Sequence, residues 1–162
     1  MIKHMNFRRI LSAVLLLHLS MIPLGRAGAE EQARPAWWEQ VSVQMPRMER
    51  AVRQYFYIRE NFLEPAYRAQ GPERELLLKR SIKACALLIE WFTDKKHMPT
   101  AVMTQYLMAD AYRQLGDIEM AKQSYRLCLD YQKYVGDPIT QQGELSIMAV
   151  VESAKAKLES LS

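Results

Sequence analysis

Between Val102 and Val135 the chain reads VMTQYLMADAYRQLGDIEMAKQSYRLCLDYQKYV, and no other stretch constrains the fold as strongly. Apolar and small residues recur at helical spacing on either side of Leu115-Gly116-Asp117, so the segment reads as two amphipathic helices joined by a tight turn. Ala109 and Tyr112 fall on the first helix, and Ala121, Tyr125 and Cys128 on the second. The small residues let two helix backbones approach closely, while Tyr112 and Tyr125 fill the space between them. Gly116 suits a helix end that needs a left-handed residue. One such hairpin cannot bury its own faces, so it must stack on neighbours.

Those residues and spacings resemble a tetratricopeptide repeat, a helix–turn–helix unit of roughly 34 residues. The proline usual near the end of such a repeat is displaced to Pro138. The resemblance implies an all-α fold of antiparallel helix pairs, a short right-handed solenoid with a C-terminal capping helix. It also implies a protein that holds other proteins and seldom does chemistry. In peptide-binding relatives a groove is lined by exposed positions of the first helix. By that resemblance the partner-binding residues here are Met103, Tyr106, Asp110, Arg113 and Gln114. Tyr106 then packs on an apolar side chain of the partner and Arg113 pairs with a carboxylate. The alternative is that Tyr106 packs under the preceding helix while Asp110 and Arg113 are solvated.

The flanking sequence is helical as well. From Trp37 to about Ala69, Val41, Met45, Met48, Val52, Tyr55, Phe56 and Phe62 recur at helical spacings, with the regular part expected from Met45. Pro65 is expected to end or kink that helix near Glu64. A second helix is expected from Pro72 to about Phe92, with Leu76, Leu77, Ile82, Leu87, Leu88 and Trp91 on its apolar face. Pro99 opens the first repeat helix, with Thr100 or Met98 near the cap, and the second runs from Ile118 to Tyr134. After Gly136-Asp137-Pro138, a last helix from Ile139 to Leu161 carries Leu145, Met148, Val151, Ala154 and Leu158 on one side. Its other side is charged, as a terminal capping helix requires. The helices flanking Val102–Val135 act as degenerate repeats or as an unrelated helical cover.

The N-terminus is a separate matter. Lys3, Arg8 and Arg9 precede an apolar run from Ile10 to Leu24, and Ala27-Gly28-Ala29 follows as an A-x-A site. That order is the pattern of a cleavable secretory signal over residues 1–29. The apolar run is shorter than the roughly 20 residues that span a bilayer. Residues 30–36 read as a flexible leader and 37–162 as the helical domain. The expected location is beyond an inner membrane, in a periplasm. Removing the four basic residues of the signal from 22 leaves 18 Lys and Arg, equal to the 18 Asp and Glu. A formally neutral mature chain gives no support for a nucleic-acid partner.

Catalytic and metal motifs are missing from the sequence: there is no H-E-x-x-H, no G-x-S-x-G and no phosphate-cradling glycine loop. The expectation is a non-enzyme with no cofactor and no metal. Cys85 and Cys128 read as buried thiols, with a disulfide as the alternative in an oxidising compartment. His97, in a polar turn, reads as a surface or capping residue. Trp37-Trp38 either touch a membrane surface or partner, or fold back onto the first helices. The expected function is an exported scaffold or adaptor for a protein or peptide segment. Its alternative is a homo-oligomerising structural subunit of a cell-envelope assembly, with Tyr55 and Phe56 at the contact between copies.

Overall fold

The computed structural model describes residues 34–46 and 50–162. The expected signal, most of the leader and Met48 lie outside the described residues. Five helical segments follow in order, and no strand occurs among the described residues. Helix α1 is composite: Ala51–Ile58 is α-helical, Arg59–Leu63 is a π-turn and Glu64–Arg68 is α-helical again. Helix α2 spans Gly71–Trp91, α3 Met98–Leu115, α4 Ile118–Leu129 and α5 Glu144–Ser160.

The packing order identifies the architecture. Helix α3 packs on α2 and also reaches α1; α5 packs on α4 and also reaches α3. The same relation therefore occurs twice, one hairpin receiving the first helix of the next. This is how a helical repeat array stacks, with α1–α2 in the place of a preceding hairpin. The turn at the centre has the expected form. Gly116 adopts φ 86°, its N–H donates to the Arg113 carbonyl, and the Asp117 N–H donates to that of Tyr112. Two of the four orphan carbonyls at the end of α3 are thereby satisfied, in a Schellman arrangement. Asp117 then caps α4, accepting from the Met120 N–H at 3.2 Å.

Two apolar clusters fill the interior. One gathers Ile82, Val102, Ala109, Tyr112, Ala121, Tyr125, Cys128, Ile147 and Val151. The other gathers Ile58, Phe62, Cys85, Leu88, Met98 and Ala101. Tyr125 is fully buried and Tyr112 nearly so, filling the space between α3 and α4 as their spacing predicted. Each fully buried Ile or Leu contributes roughly 1.5–3 kcal/mol relative to exposure. The cysteines are free, buried and in different clusters, so they form no disulfide.

Several boundaries differ from expectation. No helix begins at Met45: Trp38–Gln40 is one 3-10 turn, Val41–Pro46 is irregular, and α1 starts at Ala51. Pro46 disfavours helical backbone at Met45, and a lysine of α2 ties the preceding segment down. The Lys83 ammonium takes the carbonyls of Trp38, at 2.8 Å, and of Val41, and it lies 5.8 Å from the centre of the Trp38 ring. Trp38 is buried in the first cluster, so the tryptophans fold back onto the helices.

Pro65 does not end its helix, which runs on to Arg68. It has no N–H to donate, and the turn before it widens so that Glu64 N–H reaches the Arg59 carbonyl, an i→i−5 bond. Helix α3 is preceded by His97 rather than capped by Thr100, which is buried inside it. Helix α4 tightens into a 3-10 turn over Asp130–Tyr134, and α5 starts five residues later than Ile139. In α5 the buried stripe is Ile147, Val151 and Ala154, whereas Leu145 and Met148 face outward. Leu76 and Trp91 of α2 are likewise exposed; Leu78, Ile82, Cys85 and Leu88 are the buried ones.

Candidate partner-binding surface

Helical spacing puts Met103, Tyr106, Asp110 and Arg113 on one face of α3, with Gln114 beside them. All five are half-buried. The structure draws the three central residues into one polar cluster, and it adds two members from other helices.

Asp110 is the hub. Its Oδ1 accepts from Arg113 Nε at 3.0 Å and Nη2 at 2.7 Å. Its Oδ2 accepts from the Tyr67 hydroxyl of α1 at 2.9 Å, and the Tyr125 hydroxyl of α4 reaches Oδ1 at 3.4 Å. One carboxylate thus links α1, α3 and α4. Tyr106 packs edge-on against Tyr125, with ring centroids 5.5 Å apart. The solvated alternative for Asp110 and Arg113 is therefore not what the chain adopts, although one edge of the Arg113 guanidinium stays at the surface. Arginine carries five donors, and Asp110 occupies two of them.

Burial, reinforced by the negative Asp110, raises the phenol pKa of Tyr67 and Tyr106. Burial and Asp110 do the same to Tyr125, against a smaller opposing effect of Arg113. All three remain protonated donors at neutral pH. Hydrogen bonding to Asp110 raises the Arg113 pKa further, so its charge is fixed. The result is a cluster in which one carboxylate holds the hydroxyls of Tyr67 and the buried Tyr125 together with the Arg113 guanidinium.

Gln114 belongs to a different place. Its Oε1 accepts from Arg74 Nη2 of α2 at 2.6 Å, on the wall of a concavity of about 800 Å³. Trp37, Gly71, Lys79 and Gly116 are among the other residues of that wall, and the Lys79 ammonium sits 5.7 Å from the centre of the Trp37 ring. Tyr67 and Arg74 carried no signal in the sequence. Nothing in their local spacing predicts contacts with residues about forty positions away; only the stacking of α1 and α2 on α3 brings them there.

Neither thiol is set up for chemistry. Burial raises both, pushing Cys128 up to about 12 and Cys85 higher, and a neutral buried thiol is a poor nucleophile. Among the described residues no group of three or more His, Cys, Asp or Glu is placed to hold a metal ion. No helix among them is long and apolar enough to cross a membrane.

Residues 104–134 match the family model of the tetratricopeptide repeat. Comparison with curated proteins and with solved structures found no match. The chain is thus a tetratricopeptide-like helical repeat protein in which α3 and α4 form the matched unit. Such repeats mediate protein–protein interaction and are typically non-catalytic, which points to a scaffold with a protein partner.

Proposed function

We propose that this chain is an exported, non-enzymatic adaptor that docks a protein segment on the α3 face of Met103, Tyr106, Asp110 and Arg113, with Gln114 at its margin. The observation that carries this reading is the Asp110 cluster: it holds Arg113 and two tyrosine hydroxyls in fixed positions beside the matched repeat. A pre-ordered polar face loses little side-chain freedom when it binds. Export into a periplasm is supported by the order of charge, apolar run and Ala27-Gly28-Ala29 in the sequence.

Crosslinking in the native cells, with captured chains identified by mass spectrometry, tests the adaptor. Arg113→Gln keeps a hydrogen-bonding but shorter side chain and removes its charge, and its melting curve reports any loss of fold. A partner captured by the wild type and lost in a folded Arg113→Gln variant supports the site. Capture that is indifferent to both Arg113→Gln and Met103→Ala sinks it.

A second reading is self-assembly into a cell-envelope structure. It is favoured by apolar side chains that α1 and α5 leave uncovered.

A further inference from the structure

The uncovered apolar residues are concentrated on the first and last helices. On α1, Val52 is 48% exposed and Phe56 43%, one turn apart on the side opposite Ile58 and Phe62. On α5, Leu145 is 81% exposed and Met148 45%, and Ile139 just before the helix is 60% exposed. Leu145 and Met148 lie roughly 120° round the helix from the stripe of Ile147, Val151 and Ala154, which is buried against α3 and α4. Each end of the array therefore leaves one helix with a second apolar strip and no described neighbour on it.

The two strips are framed by opposite charges. Arg50, Arg53 and Arg59 surround Val52 and Phe56, with Glu60 as the adjoining acid. Arg59 is already paired with Glu64 at 3.0 Å, which leaves Arg50 and Arg53 to set the sign of that edge. Glu144 and Glu152 adjoin Leu145 and Met148 on α5; Glu152 is already paired with Lys155 at 2.6 Å, which leaves Glu144 to set the sign of that edge. An α1 strip meeting another α1 strip sets arginines against arginines, and α5 against α5 sets Glu144 against Glu144. Only α1 against α5 matches both the apolar centre and the charged rim.

We propose that the α1 strip of one copy docks on the α5 strip of a second copy, head to tail. This rests on the self-assembly reading and specifies it. The open side of α5 is where the next helix of a repeat array packs, and α1 of the second copy takes that place. The contact is heterologous, because the two surfaces differ, so it propagates into a filament or closes into a ring.

Sedimentation equilibrium of the purified chain and two single-sided variants provides the test. Phe56→Asp spoils the α1 strip and Leu145→Asp the α5 strip. Both sites are exposed, and unchanged melting curves verify that the variants fold. The expected result is that the wild type grows beyond a dimer with concentration. Each variant alone associates at least about tenfold more weakly, the scale of losing an interface hot spot. An equimolar mixture of the two variants then forms a dimer and stops, since each supplies the surface the other lacks. If Leu145→Asp alone still assembles like the wild type, or the mixture forms nothing, the head-to-tail contact is overturned while self-assembly by another surface stands. A wild type that stays monomeric overturns both.

Discussion

Gly143 shows how much one missing side chain can decide. A Cβ built there meets the Pro99 ring at 2.2 Å, so the entry to α5 presses directly on the first turn of α3. Its backbone φ of −117° is open to any residue; the constraint is space alone. Gly143→Ala is therefore expected to destabilise the fold by about 1–3 kcal/mol through overpacking, measured as a lowered thermal midpoint. Pro99→Ala in the same chain removes the ring's Cγ but keeps its Cβ, which also crowds the added methyl, so it is expected to recover only part of that loss. The tyrosines lead to a second expectation. Burial raises the phenol pKa of Tyr67, Tyr106, Tyr112 and Tyr125 above the ordinary 10.0. The folded state then holds those protons more tightly than the unfolded one. Stability is intact below pH 10 and falls as pH rises above it. Tyrosinate absorbance and loss of helical circular dichroism should coincide in an alkaline titration. Tyrosinate forming fully while the helices persist would contradict this.

Among the elements, the segment from Trp37 to Pro46 is held without regular structure beyond one 3-10 turn. Lys83 supplies its polar anchor through two carbonyls and the Trp38 ring, while Val43 and Met45 pack on the second cluster. Lys83→Met keeps the aliphatic stem and removes the ammonium. The expected cost is about 1–3 kcal/mol, with red-shifted tryptophan fluorescence and new proteolytic cleavage between Val41 and Met45 but no loss of helix. The α3–α4 hairpin was legible because its signals are local: Gly116 needs a left-handed turn, and Ala109, Tyr112, Ala121 and Tyr125 mark facing surfaces. The start of α1 was not legible, because Val41 and Met45 sit at helical spacing yet are claimed by α2 through Lys83 and the apolar core. Periodicity likewise misplaced the inner face of α5, whose Leu145 and Met148 fit a helical stripe as well as Ile147 does. At the candidate surface, the resemblance named Tyr106, Asp110 and Arg113, which the structure clusters around one carboxylate. Their partners Tyr67 and Arg74 came only from stacking.

For the molecule as a whole, α3 is shared property. It supplies Met98 and Ala101 to one cluster and Val102, Ala109 and Tyr112 to the other. It also touches every other helix. The clusters should therefore melt together. Cys85 lies in one and Cys128 in the other, so thiol-reactive labelling along a denaturant series should expose both in the same step as helix loss. One thiol reacting well before the other would show two separately unfolding halves. The same sharing gives the face around Asp110 a reach beyond its own contacts. A segment bound there stabilises the helix on which both ends of the array rest. By thermodynamic reciprocity, whatever loads α1 or α5 through that helix must change the affinity of its open face by the factor that binding there changes theirs.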